Sequence, residues 1–224
     1  MNLESPTIAL NMKAYRESSG ENGLKLAKIC EEVFEESGVC MVICPQQTDL
    51  SLVCREVSMP CFSQHVDPID VGSYTGWVSA EAIKNSGAEG SLINHSEHRI
   101  RISEIDILID KLRSFGLSSM VCTNNEAVSE AVAELKPDAI AIEPPRLIGS
   151  GISVSTAEPE IVSDTVDAVR RIDRGIKVLC GAGISNGKDV RSAIELGADG
   201  VLLASGVVKA KDPKEVLLDL ISGI

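Results

Sequence analysis

Short runs of almost wholly apolar, often β-branched residues recur along the chain. Longer stretches separate them, in which apolar positions return every three or four residues. The short runs predict strands at Thr7–Leu10, Val39–Cys44, Met59–Ser63, Ser91–Ile93, Ser118–Cys122, Ala139–Ile142, Lys177–Cys180 and Gly200–Leu203. Several have no polar face, which suits parallel strands buried on both sides. The longer stretches predict helices. Leu26, Ile29, Cys30 and Val33 fall at i, i+3, i+4, i+7. So do Ile105, Leu108, Ile109 and Leu112; Val128, Ala131, Val132 and Leu135; and Val162, Thr165, Val166 and Val169.

The punctuation agrees. Ser37-Gly38 and Phe115-Gly116 close helices, and Pro137 prevents another from continuing. Pro213 opens the last helix with Asp212 as its cap. Strands that alternate with helices in this way predict a single-domain (β/α)8 barrel over residues 1–224, a parallel eight-stranded barrel with some helices shortened. Only Cys44–Ser58 separates the second strand from the third, so the helix there is reduced to about two turns. The competing architecture is an open doubly wound sheet. No GxGxxG follows the first strand, which weakens a dinucleotide-binding version of it.

Composition narrows the partners. The chain has 224 residues and a formal charge of −12, from 33 acidic and 21 basic side chains. That balance argues against nucleic acid and anionic membranes. It leaves room for a small anionic ligand, because local dipoles and one lysine outweigh a distant surface field. No run approaches a membrane span, and the N-terminus has no signal-peptide pattern. The seven cysteines include no CxxC pair and read as small buried hydrophobes in a reducing cytosol. A cytoplasmic location follows as the expectation.

In a barrel, the C-terminal ends of the strands share one mouth, so polar residues there are the candidates for chemistry. The first strand delivers Asn11 and Lys13 to the same side. Lys13 can offset negative charge and polarise an oxygen. The fourth strand delivers His95, which can donate to a carbonyl or shuttle a proton. Ser96 and Glu97 can fix its ring or anchor Lys13, while His65 and His98 read as ordinary polar residues and Arg99 and Arg101 as surface charge. The sixth strand ends on Glu143, a carboxylate at the close of an apolar run. Pro144 and Pro145 follow as a stiff hinge, and Gly149 and Gly151 make a second, so Arg146, Leu147 and Ile148 form the tip of a lid. After the seventh and eighth strands, Gly181-Ala-Gly-Ile-Ser185 and Ala204-Ser-Gly206 let backbone amides approach a phosphate, with helix N-termini behind them.

Together these stretches resemble the triosephosphate isomerase family, in its short archaeal form. The resemblance rests on Asn11-Met-Lys13, Gly76-Trp77, Asn94-His-Ser-Glu-His-Arg99, Ile142-Glu-Pro-Pro-Arg-Leu-Ile-Gly-Ser-Gly151, Cys180-Gly-Ala-Gly-Ile-Ser185 and Gly200-Val-Leu-Leu-Ala-Ser205, in the family's order. It implies a TIM barrel that interconverts dihydroxyacetone phosphate and D-glyceraldehyde 3-phosphate through an enediolate, in glycolysis and gluconeogenesis. It implies Glu143 as the base, His95 as a neutral electrophile, Lys13 as the cation and Asn11 as a positioning group. Ile148, Gly149, Gly183, Ala204 and Ser205 hold the phosphate, and Glu97 supports Lys13. Neither metal nor organic cofactor is implied. The implied partner is a phosphorylated triose, and the implied assembly is a homo-oligomer with a tetramer favoured over a dimer. Two departures from the longer enzymes stand out: the lid reads Pro145-Arg146-Leu147 where they carry an aromatic residue, and the strand-seven loop lacks their Gly-Gly-Ser.

Two other functions compete. A Schiff-base aldolase needs a lysine inside the barrel, often where the sixth strand ends. Glu143 stands there, and Lys177 begins its strand at the wrong end. A non-catalytic barrel that only binds a sugar phosphate does not need the set Asn11, Lys13, His95 and Glu143.

Overall fold

A computed structural model describes residues 5–147 and 153–224. Its strands are β1 (Thr7–Asn11), β2 (Cys40–Cys44), β3 (Phe62–Ser63), β4 (Gly90–Ile93), β5 (Ser118–Thr123), β6 (Ala139–Ile142), β7 (Lys177–Cys180) and β8 (Gly200–Leu203). They form one parallel sheet in the order β2-β1-β8-β7-β6-β5-β4-β3. The bridge pair Ile43–Cys61 joins β2 to the start of β3 and closes the ring. An open doubly wound sheet is thereby ruled out.

The largest difference from the expected strands is β3. The run from Met59 predicts five residues, yet only Phe62 and Ser63 form a strand. Pro60 has no N–H for the ladder; its carbonyl instead accepts from the Ile43 amide at 3.0 Å.

Helices wrap the ring: α1 (Glu21–Ser37), α2 (Leu50–Glu56), α3 (Ala80–Asn85), α4 (Ile102–Ser114), α5 (Glu126–Ala133), α6 (Val154–Ala157), α7 (Pro159–Ile172), α8 (Gly187–Glu195), α9 (Ser205–Val208) and α10 (Pro213–Ile221). Helix α2 is reduced to 7 residues, as expected, and α3 is shorter still at 6. Gly38 ends α1 in the left-handed region, and its amide returns to Phe34 O. Asp212 caps α10 by accepting from the Glu215 amide. The buried stripes of α1, α4 and α7 follow the sequence pattern. Helix α5 does not: it buries Ser129, Val132 and Ala133, while Ala131 is exposed. Ser129 turns inward because its hydroxyl pairs with that of Thr123, 2.7 Å away.

Two apolar layers follow from strand alternation. Ile8, Leu10, Met41, Ile43, Val121, Ile140, Val178 and Val201 face the helices. Ala9, Val42, Phe62, Leu92, Met120, Ala141, Leu179 and Leu202 fill the barrel interior. Large and small side chains interdigitate there. A Cβ on Gly90 would lie 2.6 Å from Phe62 Cζ, so the glycine makes room for that ring. The same two-residue period aims Asn11 and Glu143 inward, because they continue the faces of Ala9 and Ala141.

Gly200 marks the tightest join in the ring, since a Cβ there would stand 2.1 Å from Thr7 O in the neighbouring strand. Gly200→Ala is expected to lower the melting temperature by about 5–10 °C through overpacking. Gly116→Ala, where only the left-handed backbone opposes a side chain, is expected to cost about 2–4 °C. Differential scanning calorimetry of the two variants checks the order, and equal losses would contradict it.

Candidate active site

One cavity of about 370 Å³ opens at the C-terminal ends of the strands, and Asn11, Lys13, His95, Glu143, Gly183 and Ser205 all line it. Each arrives by a different local device. Asn11 is the last residue of β1 and is buried. Its Oδ1 accepts from the Lys13 amide at 3.0 Å. Lys13 has φ 50°, a left-handed conformation that costs a lysine about 1 kcal/mol or more. It is held there from both sides, since Gln64 Nε2 donates to Lys13 O at 3.1 Å and to Cys44 O at 2.8 Å. Gln64 belongs to no motif in the sequence. Its only signal there is a polar side chain directly after β3.

His95 owes its direction to another left-handed residue. Asn94 has φ 60°, which breaks the alternation that would send His95 outward with Ile93. Asn94 is fixed by its own side chain, which donates to Cys122 O at 3.0 Å and accepts from the Ile100 amide at 3.1 Å. Arg99 donates to Asn94 O at 2.8 Å, so it anchors this loop rather than serving as plain surface charge. The Glu97 amide donates to His95 Nδ1 at 3.2 Å. That nitrogen therefore holds a lone pair, and the ring proton of the neutral imidazole sits on Nε2. Nε2 faces Glu143 Oε1 at 3.4 Å. The Glu97 carboxylate stands farther off, 3.7 Å from Nδ1, and its charge is met by Lys13 Nζ at 2.9 Å.

Glu143 is 3% exposed, and its amide still belongs to the ladder, donating to Thr123 O at 2.8 Å. Its Oε2 has no hydrogen-bond partner among the described residues. A buried carboxylate oxygen left unpaired is a costly arrangement, of the kind kept for a group that will react. Gly181 creates the space for it, because a Cβ at that position would lie 2.5 Å from Glu143 Cγ. This glycine reads from the sequence as a phosphate contact; its observed task is to accommodate the carboxylate. Cys122 is the neighbour below: burial first, then the Glu143 charge, push its thiol well above the ordinary value. Ser96 Oγ is buried with no partner among the described residues.

The loop after β7 differs from expectation in one respect. The amide of Ser185 and its hydroxyl both donate to Asp189 Oδ2, at 2.9 and 3.0 Å. Asn186 Oδ1 takes the Lys188 and Asp189 amides. The N-terminus of α8 is thus closed by its own side chains and is not open to an anion. The amides of Gly183, Ser205 and Gly206, in contrast, donate to no acceptor among the described residues. Gly183 has φ 74°, which only glycine adopts without strain. Around the Glu143 hinge, Leu147 is buried and Arg146 pairs with Glu158. Ile148, Gly149 and Gly151 lie outside the described residues.

Two histidines set aside in the sequence reading pack beside the site. The rings of His65 and His98 stack at 3.9 Å, and His65 Nε2 lies 3.0 Å from Asp67 Oδ1. Partial burial and then the His65 ring hold His98 below the ordinary histidine value. The described residues contain no cluster of three or more metal-ligating side chains.

The thiols near and beneath the site differ in reactivity. Burial pushes Cys30 and Cys180 up to about 12 and raises Cys44 and Cys122, so none forms appreciable thiolate near neutrality. Cys54 is lowered, chiefly by a hydrogen bond from the Cys61 thiol. Iodoacetamide at pH 8 is therefore expected to alkylate Cys54 while Cys30, Cys44, Cys122 and Cys180 stay unmodified until the protein unfolds. Peptide mass spectrometry reads the order, and early labelling of Cys122 would contradict the burial described for it.

Comparison with known proteins agrees with this geometry. The family profile described as "Triosephosphate isomerase" matches residues 6–223. The chain is 53% identical over 220 residues to the triosephosphate isomerase of Methanothermus fervidus, covering 98% of this chain and 99% of that one. It is 54% identical over 217 residues to that of Methanocaldococcus jannaschii, covering 97% and 99%. With the enzyme of Methanothermobacter thermautotrophicus the identity is 48% over 221 residues, covering 99% and 96%. A matching barrel, a carboxylate and histidine facing each other across its mouth, and near-complete coverage at this identity lead to one conclusion: the chain belongs to the triosephosphate isomerase family.

Proposed function

We propose that the protein interconverts dihydroxyacetone phosphate and D-glyceraldehyde 3-phosphate. The observation that carries this reading is the buried Glu143 carboxylate 3.4 Å from the protonated nitrogen of His95, in one cavity with Lys13. Glu143 removes a proton from C1 of the ketose. The C–H electron pair becomes the C1=C2 bond, and the carbonyl pair moves onto the C2 oxygen. His95 donates from Nε2 to that oxygen, and the Lys13 ammonium lowers the energy of the negative charge. His95 then carries a proton between the two oxygens, and Glu143 returns its proton to C2. Triosephosphate isomerase is itself the standard illustration of a carboxylate base beside a neutral histidine, so this division of roles is the family's.

Asn11 supports the reading by holding Lys13 in its left-handed turn. Glu97 supports it twice, through its amide on His95 and its carboxylate on Lys13. Ser96 follows His95 in the chain and supports this loop with its hydroxyl buried. The unengaged amides at Gly183 and Ser205, with Ala204 between β8 and α9, make the phosphate cradle, to which Ile148 and Gly149 add the lid. No metal or organic cofactor takes part in these steps. A Schiff-base aldolase finds no support. Lys177 sits at the opposite end of its strand, where its ammonium lies 3.5 Å from Asp199 Oδ1.

The chain works as one domain and as a homo-oligomer. Val71, Tyr74 and Trp77 stand exposed on the loop after β3, and Ile102, Ile107 and Phe115 are exposed along and just past α4. Apolar residues exposed both on that loop and along α4 support association between copies, with a tetramer favoured over a dimer. The seven free thiols suit a reducing cytoplasm and a place in glycolysis and gluconeogenesis.

Purified protein is expected to turn over both triose phosphates in a coupled dehydrogenase assay. Glu143→Gln should lower kcat about a thousandfold with the melting temperature retained. Gly181→Ala, which displaces the carboxylate without removing it, should lower kcat about a hundredfold. Full activity in Glu143→Gln would remove it as the base. Light scattering behind size exclusion should give about four times the 23.8 kDa chain mass. A monomer would overturn the oligomer reading.

A further inference from the structure

The cavity holds a second lysine to which the isomerase reading gives no task. Lys209 directly follows α9, and its side chain lines the same cavity as Gly183, Ala204 and Ser205. Its amide donates to Ser205 O at 3.1 Å, so its backbone is tied to the turn whose amides are unengaged. Its ammonium lies 4.2 Å from the centroid of the Tyr15 ring, and Tyr15 lines the cavity too. The two residues come from opposite ends of the sequence and meet across the β1–β8 join.

The charges at the two lysines differ in how they are used. Lys13 has its ammonium matched by Glu97 at 2.9 Å. Lys209 makes no ion pair with a carboxylate among the described residues; its partner is the face of an aromatic ring. A ring face holds an ammonium in place through its quadrupole without neutralising it. The charge therefore remains available to an incoming anion. A free lysine would lose much rotamer freedom on gripping a ligand, and the Tyr15 ring removes part of that loss in advance. A phosphate dianion approaching a protein of net charge −12 is repelled at long range, so an uncompensated cation at the mouth matters most to its capture.

We propose that Lys209, held over Tyr15, is a second cation for the substrate's phosphate, acting beside the Gly183 and Ser205 amides while Lys13 serves the reacting carbons. This rests on the isomerase reading of the cavity. The interaction is the same in ground and transition states, because the phosphate does not change charge during the proton transfers. Its loss should thus appear in KM and leave kcat nearly intact.

Lys209 is exposed, so Lys209→Ala is expected to fold, which a melting curve checks. It should raise KM about threefold to tenfold, weaken inhibition by inorganic phosphate by the same factor and flatten the fall of kcat/KM with ionic strength. Lys209→Arg should restore most of the affinity. Tyr15→Leu, which removes the ring, should reproduce part of the Lys209→Ala defect. Calorimetric titration of parent and Lys209→Ala with inorganic phosphate gives the same comparison without turnover. A parent that binds phosphate through Lys209 yet isomerises nothing would refute the function and keep this site. Equal phosphate affinity and equal salt dependence in parent and Lys209→Ala, or no phosphate binding by the parent, would overturn the proposal.

Discussion

Everything at the mouth of this barrel depends on the two-residue period of a strand inside a closed ring. Because β1 and β6 are locked in register with their neighbours, Asn11 and Glu143 inherit the inward direction of Ala9 and Ala141. A slip of one residue in either strand would exchange the interior face for the helix-facing one. Close backbone approach between Gly200 and Thr7 holds β1 tightly against β8. The site is therefore a product of the core, and the packing that stabilises the ring also aims the reacting groups.

Where the strands end, a different rule takes over. Lys13 and Asn94 both adopt left-handed backbone, and each is over-determined by side-chain hydrogen bonds from within and across the barrel. Such strain persists only when neighbours enforce it, and here the neighbours lie in β2, just after β3 and in β5. Glu97 then ties the two turns together, its amide on His95 and its carboxylate on Lys13. The electrophile and the cation are positioned by one residue, so a shift of the loop after β4 displaces both.

Much of this was legible in the sequence, for reasons that also mark the limit. Apolar runs located the strands because burial on both faces leaves little choice of residue. Polar residues at strand ends, Asn11, Lys13, His95 and Glu143, were legible because the architecture sends all such ends to one mouth. Contacts between strands distant in sequence were not. Gln64 matters through the carbonyls of Lys13 and Cys44, Arg99 through that of Asn94, and Tyr15 through Lys209. No local pattern encodes those meetings. The short β3 shows the same limit from another side, since Pro60 ends a ladder that hydrophobicity alone would have continued.

The missing methyl group at Gly181 has an evolutionary consequence. The volume that any larger side chain would occupy there is filled by Glu143 Cγ, so the two positions cannot drift independently. A descendant that kept the carboxylate is confined to glycine at the other site. A descendant that abandoned it loses the tightest of those contacts, and only Ile142 O, 3.1 Å from a Cβ, would still crowd an alanine there. A barrel of this kind with a larger residue at that position therefore announces, from a residue that touches no substrate, that its base has moved or is gone.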